Sequence, residues 1–161
     1  MSLIIRRARP GEAGLVLAFI RELAAYEKLS HEVEATETMI AEALFGADPR
    51  LYCAIAEWDG EAVGFAVWFV NFSTFSGRHG IYLEDLYVRP SHRGHGLGKA
   101  LLVYLARECI ENGWSRLQWA VLDWNAPSIA FYKSLGAVMM DDWTLCRVTG
   151  PALTRLAGGT S

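Results

Sequence analysis

The segment Tyr82–Lys99, YLEDLYVRPSHRGHGLGK, constrains the fold of this chain more than any other. Its first half has the alternation of a strand and carries two carboxylates, Glu84 and Asp85. A loop with three glycines follows at Arg93–Gly98, and an amphipathic helix pattern begins at Leu97. Glycines let backbone N–H groups approach a ligand closely, and the helix dipole favours an anion there. The segment therefore predicts a strand, a phosphate-binding loop and a helix in succession.

Length and charge narrow the class of protein. The chain has 161 residues, 52% of them hydrophobic and 20% charged, which suits one folded domain. Its net charge of −3 argues against nucleic acid or an anionic membrane as the main partner. No apolar run approaches the ~20 residues of a membrane span, and no signal peptide is predicted. Three scattered cysteines without a CxxC pattern indicate free thiols, so we expect a cytoplasmic protein.

The order of predicted elements indicates an α/β fold. Strands are predicted at 3–7, 51–58, 61–72, 80–88 and 117–122, helices at 12–28, 36–45, 97–112 and 126–135, and one or two last strands within 138–148. Asp59-Gly60 is a strong hairpin signal, and 71–80 is predicted to be a loop. We expect a mixed sheet in a single domain over residues 1–156, with a frayed tail at 157–161.

The glycine loop matches neither common nucleotide motif. Its G-x-G-x-G spacing differs from the dinucleotide fingerprint, and it lacks the Lys-Ser/Thr of the P-loop. A flexible turn that merely starts a helix is the alternative, but Arg93 and three alternating glycines exceed what a turn needs. We therefore interpret the loop as an anion site.

The two carboxylates of the strand are candidates for acid–base chemistry. Alternation places Glu84 on the face of Tyr82 and Leu86, and Asp85 on the face of Leu83 and Tyr87. A buried carboxylate has a raised pKa unless it is paired, and a carboxylate of raised pKa is a candidate base. The alternative is that both acids only bind neighbouring backbone groups.

A second motif, WNAPSIAFYK, begins at Trp124. Asn125 can cap a helix whose first turn contains Pro127, and Tyr132 follows about two turns later. A tyrosine beside Phe131 on a short helix is by default a core aromatic with a satisfied hydroxyl. The four histidines are scattered and have no nearby Cys or Asp partner, so no metal site is expected.

Together these residues resemble the GCN5-related N-acetyltransferases (GNAT). The family signature Arg/Gln-x-x-Gly-x-Gly/Ala is matched by Arg93, Gly96 and Gly98, and its Asn–helix–Phe-Tyr-x-x-x-Gly run by 125–136. Within the family, YLEDLYV and WNAPSIAFYKSLGA look most like the diamine (spermidine/spermine, thialysine) N-acetyltransferase subgroup. The resemblance implies a GNAT fold, in which the central strands of a twisted mixed sheet splay apart and helices cover both faces.

The resemblance also implies a site for acetyl-CoA as cosubstrate, without a metal. Backbone groups after the carboxylates would pair with its pantetheine arm, and the glycine loop would surround its pyrophosphate. The acetyl-CoA site is expected to comprise Leu86, Tyr87, Val88, Arg93, Gly94, His95, Gly96, Leu97, Gly98, Lys99, Asn125, Ala126, Pro127, Ser128 and Tyr132.

Catalytic roles follow from the same resemblance. Tyr132 would be the general acid beside the thioester sulfur, and Glu84 the base, directly or through a water. The amine site is expected to comprise Tyr26, Glu27, Glu84, Asp85, Phe75 and Trp143. The reaction expected is direct transfer to the primary amine of a diamine, polyamine or lysine-like amino acid in a ternary complex. A homodimer is implied by the resemblance alone.

One departure from the polyamine enzymes bears on the substrate. They carry an acidic residue in the loop before the central strand, whereas no Asp or Glu lies between Ala62 and Leu83 here. Arg78 adds positive charge, so an amino acid whose carboxylate meets Arg78 is as plausible as a diamine, and we expect poor turnover of spermine. The alternatives are a peptide or protein lysine acetyltransferase and a non-catalytic acyl-CoA-binding sensor.

Overall fold

A five-stranded mixed sheet organises the first part of the chain. The computed structural model describes residues 2–160, which form two compact units divided after Ala120. In the first unit the strands lie side by side in chain order, the first four antiparallel and the last parallel to its neighbour. Its elements are β1 (Leu3–Arg7), α1 (Ala13–Tyr26), α2 (Glu37–Phe45), β2 (Tyr52–Trp58), β3 (Glu61–Ser73), β4 (Arg78–Val88), α3 (Leu97–Glu111) and β5 (Leu117–Gln118).

Helices cover both faces of this sheet, as predicted. Helices α1 and α2 bury their apolar stripes in one core cluster with inward residues of β2, β3 and β4; this cluster includes Val16, Phe19, Ile55 and Phe65. Helix α3 packs on the opposite face. Each fully buried side chain of this size stabilises the fold by about 1.5–3 kcal/mol. The prediction of an α/β fold is confirmed.

Two hairpins build the centre of the sheet. Asp59 and Gly60 both have positive φ (50° and 85°), which makes the predicted Asp-Gly turn a type I′ turn. The β3–β4 hairpin is longer than expected, because Ser73 pairs with Arg78 and only 74–77 form the turn. The predicted loop at 71–80 is therefore wrong. Cross-strand aromatic contacts, such as the stacked Phe69–Tyr82 pair, stabilise the pairing of β3 with β4.

Strands β4 and β5 separate soon after they meet. Their ladder consists of Ile81 with Leu117 and Tyr82 with Gln118. Among residues 2–160, no β5 partner is described for the rest of β4, Leu83–Val88. The predicted strand at 117–122 is thus much shorter in the structure. The separation lies where the splay was expected.

The second unit contains two helices, α4 (Ala126–Ser134) and α5 (Gly150–Leu156). Asn125 caps α4 by accepting the Ser128 N–H at 3.4 Å, and Gly136 closes it with a φ of 95°, both as predicted. No strand is assigned within 138–148, so the last predicted strands are wrong. Strand propensity is local, whereas a strand needs a non-local partner.

A short helix that the sequence did not predict precedes the expected tail. Helix α5 was not predicted, and Gly158 and Gly159 close it by donating to the Arg155 and Thr154 carbonyls at 3.0 Å. Ser161, the last residue of the expected tail, lies outside the described residues. No helix within 2–160 has the length and apolar character needed to cross a membrane.

Candidate functional site

Glu84 is an extra residue in β4 with no partner in β3. Val67 pairs with Asp85 while the next residue of β3, Trp68, pairs with Leu83, which makes Glu84 the residue of a β-bulge. Paired residues share a face of a sheet, and consecutive residues of a strand lie on opposite faces. Asp85 therefore lies on the Val67 face and Leu83 on the Trp68 face. The prediction that Asp85 and Leu83 share a face is wrong.

The bulge turns Asp85 toward the helix α1 side of the sheet. Val67 belongs to the core cluster with α1 and α2, whereas Trp68 packs against Tyr104 of α3. Tyr87 also lies in the α1 cluster, so the predicted shared face of Asp85 and Tyr87 is confirmed. Simple alternation failed only across the bulge, for which the sequence contains no signal beyond two adjacent acids in an apolar strand.

Three carboxylates lie near one another at the bulge: Glu27, Glu84 and Asp85, hereafter the acidic cluster. Burial, together with the smaller effects of the negative charges of Glu84 and Glu27, raises the pKa of Asp85 to about 7. Burial also raises the pKa of Glu27, the C-cap residue of α1. Glu84 itself is exposed. An ammonium group entering this cluster would relieve the repulsion among the three acids.

One arginine connects the glycine loop to the end of α1. The Arg93 Nε donates a hydrogen bond to the Val88 carbonyl oxygen at 2.9 Å. Its guanidinium carbon lies 4.8 Å from the ring centroid of Tyr26 and 5.6 Å from that of Tyr87, which are cation–π distances. Arg93, which is predicted for the acetyl-CoA site, thus contacts Tyr26, which is predicted for the amine site.

The glycine loop is open and leads into an uncapped helix. Gly94 and Gly96 have φ values of 84° and 81°, which only glycine adopts without strain. A Cβ at Gly94, Gly96 or Gly98 would have no heavy atom within 4 Å, so the approach to the backbone is clear. No side chain caps α3 at Gly96, which leaves the first-turn N–H groups from Leu97 onward for an anion.

Two further loop residues have definite neighbours. The His95 ring lies 5.0 Å from the Trp58 ring, centroid to centroid, and so ties the loop to the end of β2. Lys99 lines a shallow groove of about 480 Å³ between β1 and α3, together with Arg107. The cationic side chain of Lys99, in the first turn of α3, therefore lies close to the open backbone of the loop.

An ion pair that sequence reasoning missed fixes the exit of β4. Arg89 binds both carboxylate oxygens of Glu22 at 3.1 Å, and its guanidinium carbon lies 4.8 Å from the Phe19 ring centroid. It also donates to the Ala62 carbonyl at 3.2 Å, while its backbone N–H donates to Val63 at 2.8 Å. These contacts join α1, β3 and β4 immediately before the glycine loop. The sequence offered no signal for this pairing.

The remaining predicted residues lie in the second unit. Asn125, Ala126, Pro127 and Ser128 form the cap and first turn of α4. Tyr132 lies near the end of the same helix, and its ring centroid is 5.6 Å from that of Phe131. Trp143 is exposed. The predicted role of Tyr132 as general acid stays a prediction.

The β3–β4 turn contributes little to the acidic cluster. Phe75 is fully exposed at the turn. Arg78 begins β4, six residues before Glu84, which corresponds to about 20 Å of strand. That separation exceeds the length of a lysine-sized amino acid. The pairing of Arg78 with the carboxylate of an amino-acid substrate stays a prediction.

The described side chains form no metal-binding cluster. Within residues 2–160, no group of three or more His, Cys, Asp or Glu residues is placed to hold a metal ion. The candidate site instead contains three carboxylates, an arginine in contact with two tyrosine rings, and backbone N–H groups at the start of α3.

Comparison with known proteins identifies related sequences over nearly the whole chain. The model of the acetyltransferase (GNAT) family matches residues 17–137. Thialysine N-epsilon-acetyltransferase from Sus scrofa is 39% identical, covering 98% of this chain and 98% of its own. The Bos taurus protein of the same name is 40% identical, covering 96% and 97%. L-ornithine N5-acetyltransferase from Arabidopsis thaliana is 29% identical, covering 92% and 85%.

Solved structures share the fold. An integron cassette protein from the mobile metagenome of V. cholerae has a TM-score of 0.80 at 30% identity, with 98% of both chains covered. An aminoglycoside acetyltransferase from an uncultured soil metagenomic sample has a TM-score of 0.76 at 18% identity, covering 91% of this chain and 95% of its own. The second likeness concerns the fold alone.

Proposed function

Because the chain belongs to the acetyltransferase (GNAT) family and is thus an N-acetyltransferase, we propose that it acetylates the primary amine of a small amino acid or diamine. The observation that carries this proposal is the acidic cluster at the β4 bulge, beside a strand that has already separated from β5. The cluster suits a cationic amine, and the separated strand offers backbone groups to a thioester substrate.

The glycine loop fits the pyrophosphate of acetyl-CoA. Positive φ at Gly94 and Gly96, open space around all three glycines and the uncapped start of α3 support this assignment. Lys99, in the first turn of α3, adds positive charge nearby. Leu86–Val88 would present backbone groups to the pantetheine arm. The family resemblance supports Asn125–Ser128 and Tyr132 as further acetyl-CoA-binding residues.

The acceptor amine must lose a proton before it reacts. A primary amine has a pKa of about 10 and is mostly protonated at pH 7. We assign this proton to Glu84, directly or through a water, because Glu84 is exposed at the bulge. Asp85 and Glu27 hold the incoming ammonium in place. The amine nitrogen then attacks the thioester carbonyl carbon.

Bond formation and cleavage follow in one ternary complex. The new C–N bond forms as the carbonyl oxygen takes negative charge, which backbone N–H groups of β4 can stabilise. The C–S bond then breaks, the CoA thiolate takes a proton from the Tyr132 hydroxyl, and the nitrogen loses its second proton to solvent. Glu84 then releases its proton to solvent and Tyr132 regains one from solvent, which restores both side chains. The products are the N-acetylated amine and CoA. Positioning of the two substrates supplies much of the acceleration.

The relatives narrow the proposed acceptor. Thialysine and L-ornithine, named in two of them, are amino acids with a side-chain amine. We propose an acceptor of that kind or a small diamine, because no acidic residue lies between Ala62 and Leu83 to hold a long polycation. Spermine should therefore be a poor substrate.

Initial-rate kinetics test direct transfer. CoA release is measured while acetyl-CoA and thialysine are both varied. Intersecting double-reciprocal lines are expected for a ternary complex. Parallel lines, or an acetylated enzyme isolated after incubation with acetyl-CoA alone, would contradict the proposed mechanism.

We also propose that the protein is a cytoplasmic homodimer without nucleic-acid or membrane partners. The net charge of −3 supports the absence of polyanionic partners. Family resemblance supports the dimer. Light scattering at several protein concentrations tests it, since a monomer mass throughout would contradict it.

A further inference from the structure

We propose that the contact between Arg93 and Tyr26 couples the two substrate sites, so that each substrate raises the affinity for the other. Arg93 acts here as a positioning residue at the base of the glycine loop. The inference rests on the proposed function, because it takes the loop as the acetyl-CoA site and the end of α1 as part of the amine site.

Arg93 is anchored at the end of β4. Its Nε donates to the carbonyl of Val88, the last residue of β4, at 2.9 Å. Tyr87, whose ring is 5.6 Å from the guanidinium carbon, is buried against Phe19 at 6.5 Å between ring centroids. The Val88 carbonyl and the buried Tyr87 ring therefore hold the Arg93 side chain in place.

The Arg93 guanidinium also contacts Tyr26 at the end of α1. Tyr26 is the last residue of α1 and is 38% exposed, and its ring centroid lies 4.8 Å from the Arg93 guanidinium carbon. Glu27 of the acidic cluster follows it directly. The arginine thus connects a residue next to the amine-binding carboxylates with a loop that begins at Gly94.

The contact between Arg93 and Tyr26 would couple the binding free energies of the two substrates. A pyrophosphate that orders the loop also restricts Arg93, and through it the exposed Tyr26 ring. The amine then has less to order when it binds second, which is positive coupling, and thermodynamic linkage makes the effect reciprocal. A cation–π contact at an exposed site corresponds to an effect of about two- to fivefold in affinity.

The test asks whether an amine-side residue changes acetyl-CoA binding when no amine is present. The dissociation constant of acetyl-CoA is measured by titration calorimetry for the wild type, Tyr26→Leu and Tyr26→Phe. Tyr26→Leu should weaken acetyl-CoA about two- to fivefold, whereas Tyr26→Phe keeps the ring and should bind as the wild type does. Phe72→Leu, which removes another exposed ring, is the matched control and should change nothing.

The reciprocal arm uses Arg93→Gln. This variant should raise the KM for the amine at saturating acetyl-CoA, and adding Tyr26→Leu should weaken acetyl-CoA no further than Arg93→Gln alone. An acetyl-CoA dissociation constant unchanged in Tyr26→Leu, or equal losses in Tyr26→Leu and Tyr26→Phe, would overturn the coupling. Because acetyl-CoA is titrated alone, a wild type that acetylates no tested amine refutes the acceptor assignment without touching this result.

Discussion

Glu84 and Asp85 are adjacent in sequence, yet Glu84 is exposed in a β-bulge while Asp85 is partly buried on the α1 side of the sheet. The bulge divides two carboxylates between two environments. Glu84 can exchange a proton with solvent or substrate, whereas Asp85 lies in a partly buried environment that disfavours its charged form.

Asp85→Asn should stabilise the protein at alkaline pH. Burial and neighbouring acids raise the pKa of Asp85 to about 7, well above that of an unfolded aspartate. The folded state thus holds this proton more tightly, and wild-type stability falls as the pH rises from about 4 through 7. The variant cannot ionise and should gain on the order of 3 kcal/mol at pH 8, but little at pH 4.

Urea unfolding at both pH values measures this effect. Asp48→Asn, which removes an exposed carboxylate, is the matched control. Equal effects of Asp85→Asn at both pH values would contradict a raised pKa. The same variant should raise the KM for the amine, because the acidic cluster loses a charge.

Gly96→Ala should weaken acetyl-CoA binding and destabilise the fold. Gly96 has a φ of 81°, where a Cβ costs about 1–2 kcal/mol, and it precedes the open N–H groups of α3. Gly113→Ala is the matched control, since Gly113 has a φ of 69° and equally open surroundings at the other end of α3. Both variants should lose stability in thermal unfolding, but only Gly96→Ala should raise the acetyl-CoA KM. Equal KM values would count against the loop as the pyrophosphate site.

Lys28→Gly should be more stable than Lys28→Ala by about 1 kcal/mol. Lys28 has a φ of 63° and follows α1 in a Schellman motif, in which Leu29 donates to the Ala24 carbonyl at 2.8 Å. Glycine relieves the left-handed strain, and alanine retains it while also lacking the lysine side chain. Denaturant unfolding of the two variants measures the difference. A more stable alanine variant would mean that Lys28 is not strained.

Tyr132→Phe should lower kcat about a hundredfold and leave acetyl-CoA affinity nearly unchanged, because only the proposed proton donor is lost. Tyr52→Phe removes a hydroxyl elsewhere and serves as the control. Single-turnover kinetics and acetyl-CoA titration separate the two effects. A Tyr132→Phe variant with wild-type kcat would exclude the hydroxyl as general acid.

Local signals predicted much of this structure. The Asp59-Gly60 turn, the Asn125 cap and the glycine loop before α3 each depend on residues close in sequence. Their chemistry restricts the backbone directly. The same is true of Gly136 at the end of α4.

The features that the sequence did not predict depend on contacts between residues far apart in the chain. The bulge at Glu84 depends on the register between β3 and β4, and no strand forms within 138–148 although the residues there have strand propensity. The Glu22–Arg89 pair joins residues far apart in the chain. Such contacts depend on tertiary context that a single sequence does not contain.

CoA release from acetyl-CoA with a panel of amines tests the central claim most directly. The panel comprises thialysine, lysine, ornithine, putrescine, spermidine, spermine and a lysine peptide. We predict saturable turnover of a side-chain-amine amino acid or a small diamine, with spermine the least efficient of the small molecules. Turnover of the peptide alone, or of spermine as efficiently as every smaller amine, would contradict the proposed function.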